Sequence, residues 1–196
     1  SRKVAVIGAG NIGGGLVRAW AKAGHTVTMG VRSPNDEEVV ALAKETGARV
    51  TTPAEAVAAN DVIAIAIPAQ AVEAFAAGSN FAGKLVIDCT NHVGPGFSLS
   101  FGHTTSWAEE LAKKLPGAKV FKSFNAQGAE NLATPVYASG PAANFFCGDD
   151  AEARAVVSQR MKEGTLFMYH AQEKIVNVPG SEMTGQRGGI HNSVTR

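Results

Sequence analysis

Charge of one sign is what this chain of 196 residues most clearly lacks: 18 Lys and Arg stand against 17 Asp and Glu, for a net charge of +1. With no basic cluster to meet a phosphate backbone or an anionic lipid surface, nucleic acid and membranes drop out as partners. Cysteine is scarce as well. Cys89 closes an apolar run and Cys147 follows Phe145 and Phe146, which reads as two small buried thiols rather than a metal or redox pair, and no metal site is expected. No apolar run approaches the ~18 residues of a membrane span, and no basic-then-apolar leader opens the sequence, so a cytoplasmic location is expected. Repeats and low-complexity segments are missing too. What is present, 45% hydrophobic and 18% charged residues, is enough to bury the core of one domain.

Short apolar runs alternate with helical patterns from the start, the signature of a parallel sheet with crossover helices. Val4 to Ile7 reads as a strand, Gly13 to Ala23 as a helix, Val27 to Met29 as a strand and Glu37 to Thr46 as a helix. A short strand near Val50 leads to Thr52-Pro53-Ala54-Glu55, a helix start with a capping threonine and proline in the first turn. Val62 to Ile67 is an uninterrupted apolar strand, as a central position covered on both faces requires, and Leu85 to Asp88 is a fifth. Asn91 to Thr104, about 14 residues without periodicity, is a loop of the length that carries function. Ser106-Trp107-Ala108-Glu109 opens another helix, to Leu115. A strand from Lys119 to Phe124, an irregular piece, a strand at Phe145-Phe146-Cys147 and a helix from Asp150 to Arg160 complete the pattern. The reading is an α/β, Rossmann-type, doubly wound, mainly parallel sheet over residues 1–164. A short, poorly patterned extension over 165–196 follows, in which Leu166 to Tyr169 has strand character and the rest is expected to be lightly packed or disordered.

The chemistry starts at Gly8-Ala9-Gly10-Asn11-Ile12-Gly13. A glycine pattern of this kind is informative only between a strand and a helix, and here it sits there. Gly8 permits the tight turn, Gly10 lets a diphosphate approach the backbone, and Gly13 lets helix and strand pack closely. Asn11 and Ile12 then offer first-turn N–H groups to the anion. Gly14 and Gly15 extend the run and point to close packing or a loose first turn rather than extra chemistry. Another absence selects the nucleotide. An NAD site offers Asp or Glu to the ribose at the end of the second strand, yet no acid occurs from Gly8 to Asn35. The turn Gly30-Val31-Arg32-Ser33 instead supplies a guanidinium and a hydroxyl suited to a 2′-phosphate, so NADP(H) is expected. Two blander roles stay open: Arg32 as a solvated surface residue, and Ser33 as the cap of the next helix.

In an open parallel sheet the ligand crosses the carboxyl ends of the strands. The loops placed there are Pro68-Ala69-Gln70, Thr90-Asn91-His92 and Ser123-Phe124-Asn125-Ala126-Gln127-Gly128-Ala129. These residues, with the glycine motif, the Arg32 turn, Ile65-Ala66-Ile67-Pro68, the strand Leu85 to Thr90, Gly128-Ala129-Glu130-Asn131 and Cys147-Gly148-Asp149-Asp150, resemble the deazaflavin:NADP oxidoreductases and the related cytosolic domains of the STEAP metalloreductases. The resemblance covers roughly residues 3 to 160. It implies that Arg32 and Ser33 hold the 2′-phosphate, and that the loop around Ile67, Pro68 and Ala69, with Thr90 and Asn91, attends the nicotinamide half. It also implies that Asn125, Gln127, Gly128 and Ala129 form the face where hydride passes to a deazaflavin or a flavin (FMN or FAD). Hydride transfer needs positioned rings and excluded water rather than a protein nucleophile, so no catalytic base is assigned. His92 and His103 read as solvated or locally bonded loop histidines before they read as proton donors. Family members build homodimers and close the substrate site with C-terminal helical elements, a pattern that Met168 to Arg196 does not show. The competing functions are an NADP-linked imine or hydroxyacid reductase, whose large helical substrate domain has no room in 196 residues, and a non-catalytic NADP-binding sensor or partner protein.

Overall fold

A computed structural model describes residues 2–98, 100–101, 104–126, 128–133, 136–137, 140–141, 143–163 and 167–170. The first half alternates strand and helix: β1 Lys3–Ile7, α1 Asn11–Lys22, β2 Thr26–Gly30, α2 Glu37–Thr46, β3 Arg49–Thr51, α3 Pro53–Ala59, β4 Val62–Ile65, α4 Val72–Ala77 and β5 Leu85–Asp88. The second half adds α5 Trp107–Lys114, β6 Lys119–Ser123, α6 Glu130–Ala133, β7 Val136–Tyr137, β8 Gly140–Pro141, β9 Ala143–Cys147, α7 Ala151–Glu163 and β10 Phe167–His170. The main sheet runs β10-β9-β6-β5-β4-β1-β2-β3. Its pairs are parallel except β6 with β9, while β7 and β8 form a separate antiparallel pair. This is the Rossmann-type doubly wound sheet, with its strand order reversing between β1 and β4.

The continuous apolar runs are explained by burial on both faces. Val4 and Val6 of β1, Ala64 of β4 and Ile87 of β5 face the layer of α1, α2 and α7. Their neighbours Ala5, Ile7, Ile63, Ile65 and Val86 face the layer of α3, α4 and α5. Every one of these side chains is at most 1% exposed, so an alternating polar face was never available.

Helix ends follow local chemistry. Thr52 accepts from Glu55 N while the Glu55 carboxylate accepts from Thr52 N, and Ser106 and Glu109 repeat that box at α5. The irregular piece before β9 contains α6 and the β7–β8 pair, too short to leave a periodic trace. The sequence reading also passes over α4, whose short apolar stretch Val72–Ala77 is preceded by a 3-10 turn at Ala69–Ala71 and has no side-chain cap. β10 pairs with β9, so the sheet runs past residue 164; residues 171–196, most of the expected extension, lie outside the described residues.

Candidate functional site

The crevice between β1 and β4 opens at the glycine turn. Gly8 has φ +98°, its N–H donates to Gly30 O at 3.0 Å, and a Cβ there would stand 2.5 Å from the Ala66 carbonyl oxygen. A Cβ on Gly13 would meet the Gly8 carbonyl. Both positions are therefore glycine because the protein itself leaves no room. Gly10 differs: nothing lies within 4 Å of where its Cβ would be. No packing within the described residues requires a glycine there. Side chains of Asp36, Thr52 and Ser106 cap α2, α3 and α5, whereas α1 starts at Gly10 with no side-chain cap and no acid in its first turn. The positive end of α1 thus has no capping side chain at its N-cap, and it borders a space lined by Gly10, Asn11, Arg18, Glu38 and Glu130. A diphosphate fits that seat.

On the other side of the turn, a cavity of about 460 Å³ is lined by Gly30, Val31, Arg32, Thr52, Pro53, Ile67 and Pro68, among others. No carboxylate lines it. A Cβ on Gly30 would crowd Ala56 Cβ at 2.9 Å, so the strand end is glycine to let α3 sit close. The first acid after β2, Asp36, accepts from Glu38 N at 3.0 Å as the cap of α2, which takes the capping role away from Ser33. Arg32 and Ser33 are exposed at the cavity mouth side of the turn. The arrangement suits an adenosine carrying a 2′-phosphate, held by a guanidinium with no acid to repel it. Ile67 and Pro68 belong to this wall, and Ala69 is buried beneath them.

Amides tie together the three loops expected at the nicotinamide half. Gln70 Nε2 donates to Val93 O at 3.1 Å, joining the loops after β4 and β5. Asn91 Nδ2 donates to Asn125 O at 3.1 Å and Asn125 Nδ2 donates to Asn91 Oδ1 at 3.2 Å, joining those after β5 and β6. Thr90 faces inward: its hydroxyl donates to Asp88 Oδ1 at 2.7 Å and accepts from Trp107 Nε1 at 2.9 Å, so its side chain braces the site from below. Gly128 and Ala129 lead into α6, and a Cβ on Gly15 of α1 would stand 3.4 Å from Ala129 O and 2.9 Å from Leu132 Cβ. That is the close packing expected of the extended glycine run. Gln127 and His103 lie outside the described residues.

His92 packs against Trp107 and Phe101, with ring centroids at 4.7 and 5.0 Å, and its buried Nδ1 has no hydrogen-bond partner among the described residues. It is neither solvated nor locally bonded through that nitrogen. Burial pushes the Cys89 thiol up, and that of Cys147 to about 12, so neither offers a thiolate near neutrality. No cluster of metal-ligating side chains occurs among the described residues, nor is any described helix long and apolar enough to cross a membrane.

Sequence reading missed two residues that shape this end of the site. Lys122, 6% exposed, places Nζ 2.9 Å from Asp88 Oδ2 and also donates to the Thr90 carbonyl. The signal was available, since Asp88 and Lys122 stand at paired positions near the ends of neighbouring strands. Phe124 has φ +63° and carried no such signal.

Comparison with known proteins agrees with this geometry. Residues 3–92 match the family described as NADP oxidoreductase coenzyme F420-dependent, a stretch that holds the glycine turn, Arg32, Ile67 and Asn91 but stops short of Asn125. A solved structure described as an F420-dependent NADP reductase from Arthrobacter sp. FB24 is 26% identical, with a TM-score of 0.75 over 87% of this chain and 84% of that one. A hypothetical protein from Sinorhizobium meliloti superposes with a TM-score of 0.83 at 21% identity, covering 100% of this chain and 97% of that one. An imine reductase from Pseudomonas sp. shares the fold at a TM-score of 0.65 and 20% identity, over 88% of this chain and 56% of that one. Among curated proteins, the glycerol-3-phosphate dehydrogenase [NAD(P)+] of Jannaschia sp. (strain CCS1) is 31% identical over 189 residues, 93% of this chain and 56% of that protein. A 44-residue stretch, 22% of this chain, is 75% identical to the respiratory nitrate reductase 2 alpha chain of Escherichia coli (strain K12). The chain spans 4% of that protein. The acid-free Arg32 turn and the open space at Gly10 both lie inside residues 3–92, the stretch that is similar to the NADP oxidoreductase coenzyme F420-dependent family.

Proposed function

We propose that this chain transfers hydride between NADPH and a deazaflavin, with a flavin (FMN or FAD) as the related acceptor. One observation carries the reading: a 2′-phosphate-ready turn and an open diphosphate seat lie at one end of a crevice whose other end is a floor of loops tied by amides. Bound NADPH would supply the hydride, leaving the protein to orient it and exclude water. Gly10, Asn11, Ile12 and Gly13 seat the diphosphate, and Arg32 and Ser33 grip the 2′-phosphate. Asn91, Asn125, Gly128 and Ala129 shape the surface over which the acceptor ring approaches. The buried, high-pKa thiols fit a reaction that asks for no protein thiolate. Neither nucleic acid nor membrane is a partner in this reading; the partner is a small redox co-substrate, and the expected assembly is a homodimer in the cytoplasm.

The test is to mix the protein and NADPH with deazaflavin, FMN, FAD and a panel of cyclic imines and hydroxyacids, following NADPH absorbance. Oxidation with the deazaflavin or a flavin is expected. Turnover only with the imines or hydroxyacids would move the chain to the reductase reading. Tight NADPH binding with no oxidation by any acceptor would make it a binding protein.

A further inference from the structure

The segment after β6 is held in a way that the proposed reaction does not by itself explain. Phe124 is 2% exposed and sits at φ +63°, a left-handed conformation costly for a bulky residue. Its ring meets Trp20 of α1 edge-on at a centroid distance of 6.2 Å, and Trp20 is itself 1% exposed. Further along the chain, the same helix takes the other end of the segment, where Gly15 leaves room for Leu132 and the Ala129 carbonyl. Between those two anchors Asn125 turns outward and makes its two hydrogen bonds with Asn91. Without the left-handed turn at Phe124 the chain would carry on along β6, and Asn125 would not meet the loop after β5.

We propose that Phe124 is a positioning residue: anchored on Trp20 and turned left-handed, it aims Asn125 into its pairing with Asn91 and so ties the hydride face to the helix that seats the diphosphate. The proposal rests on the hydride-transfer reading for its kinetic consequence alone. Strain at a site persists where surrounding packing over-determines it, and here the packing belongs to α1. Binding at the start of α1 thereby reaches Asn125 through Trp20 and Phe124, some distance from any phosphate contact.

Three variants test this by NADPH titration, by amide hydrogen exchange across residues 121–126 with and without NADPH, and by single-turnover oxidation with deazaflavin. Phe124→Gly frees the backbone and removes the anchor. It is expected to bind NADPH within about 3-fold of the parent, to lose the NADPH-induced protection of the segment, and to transfer hydride roughly 10- to 100-fold more slowly. Phe124→Leu keeps a buried apolar anchor and should recover most of both losses. Asn91→Ala, an exposed change that breaks both amide bonds without touching the core, should slow transfer as Phe124→Gly does and answers the question if Phe124→Gly fails to fold. The proposal is overturned if Phe124→Gly keeps its protection and rate, if it loses NADPH affinity as steeply as rate, or if Phe124→Leu fares no better than Phe124→Gly. Should the parent reduce no acceptor, the hydride-transfer reading falls, and hydrogen exchange alone decides. Protection present in the parent and lost in Phe124→Gly sustains the coupling; equal protection in both ends it.

Discussion

Lys122 Nζ lies 2.9 Å from Asp88 Oδ2 beneath the loops at the carboxyl ends of β5 and β6, the carboxylate wholly buried and the lysine 6% exposed. The pair is enclosed by further bonds, with Thr90 donating to Asp88 and Lys122 donating to the Thr90 carbonyl. Desolvating two charges costs much of what their attraction returns, so removing one partner is far worse than removing both. Lys122→Met should therefore cost about 3 to 5 kcal/mol in urea unfolding, by leaving the buried Asp88 without its cation. Lys122→Met combined with Asp88→Asn should be clearly milder than that single change. A double variant as unstable as Lys122→Met would show that the lysine acts by packing rather than by charge.

Gly10 and Gly13 stand three residues apart in one motif and answer to different partners. A methyl on Gly10 meets no protein atom within 4 Å, and its φ of −69° suits alanine. Gly10→Ala should leave thermal stability within about 0.5 kcal/mol of the parent and weaken NADPH by roughly 10-fold or more, about 1.4 kcal/mol. Gly13→Ala drives a methyl onto the Gly8 carbonyl and should cost about 1 to 3 kcal/mol of stability before any ligand is added. Melting curves with and without NADPH separate the two; equal stability loss in both would remove the case for an anion at Gly10.

Arg32 carries the choice of nucleotide. If its guanidinium grips the 2′-phosphate, Arg32→Ala should lose about 1.5 to 3 kcal/mol, or roughly 10- to 150-fold, in NADP affinity. NAD affinity should hardly move. Calorimetric titration of both nucleotides against parent and variant reads this directly, and equal parental affinities for NADP and NAD would overturn the assignment.

Much of this could be read from sequence because the determining forces were local. The apolar runs of β1, β4 and β5 record burial on both faces, the capping boxes at Thr52 and Ser106 are side-chain chemistry within one turn, and the missing acid after β2 is a matter of composition. What could not be read depended on distant partners. The Asn91–Asn125 pairing spans 34 residues and exists only because β5 and β6 lie side by side. Phe124 looks in sequence like the last residue of a strand, and its left-handed turn is imposed by Trp20, more than a hundred positions away. His92 likewise reads as a loop histidine until Phe101 and Trp107 close over it. Ser33 is a reasonable cap by residue type, but the cap falls three residues later, at Asp36, which accepts from the first turn of α2.

Acid should act through the carboxylates that cap and staple helices. The Thr52 backbone N–H, and then its hydroxyl, hold the Glu55 carboxyl below its ordinary range; Arg18 does so for Glu45 through a side-chain hydrogen bond, and the Ala153 N–H for Asp150. A carboxyl whose folded pKa is depressed binds its proton more readily in the unfolded chain. Its contribution is therefore complete above the unfolded value, about 4.3 for Glu and 3.9 for Asp, and is lost as pH falls through the lower folded value. Stability should be flat from neutrality down to that region and then decline. Glu55 gives the cleanest probe, because its box starts α3 where Thr52 and Pro53 line the Arg32 cavity. Glu55→Gln keeps an acceptor but cannot titrate, so its melting temperature should fall less than the parent's between about pH 5 and pH 3. At pH 7 it should already sit slightly lower, having exchanged a charged acceptor at a helix N-terminus for a neutral one. Parallel pH profiles for parent and variant would show that Glu55 adds nothing to acid sensitivity and that its depressed pKa has no counterpart in folding.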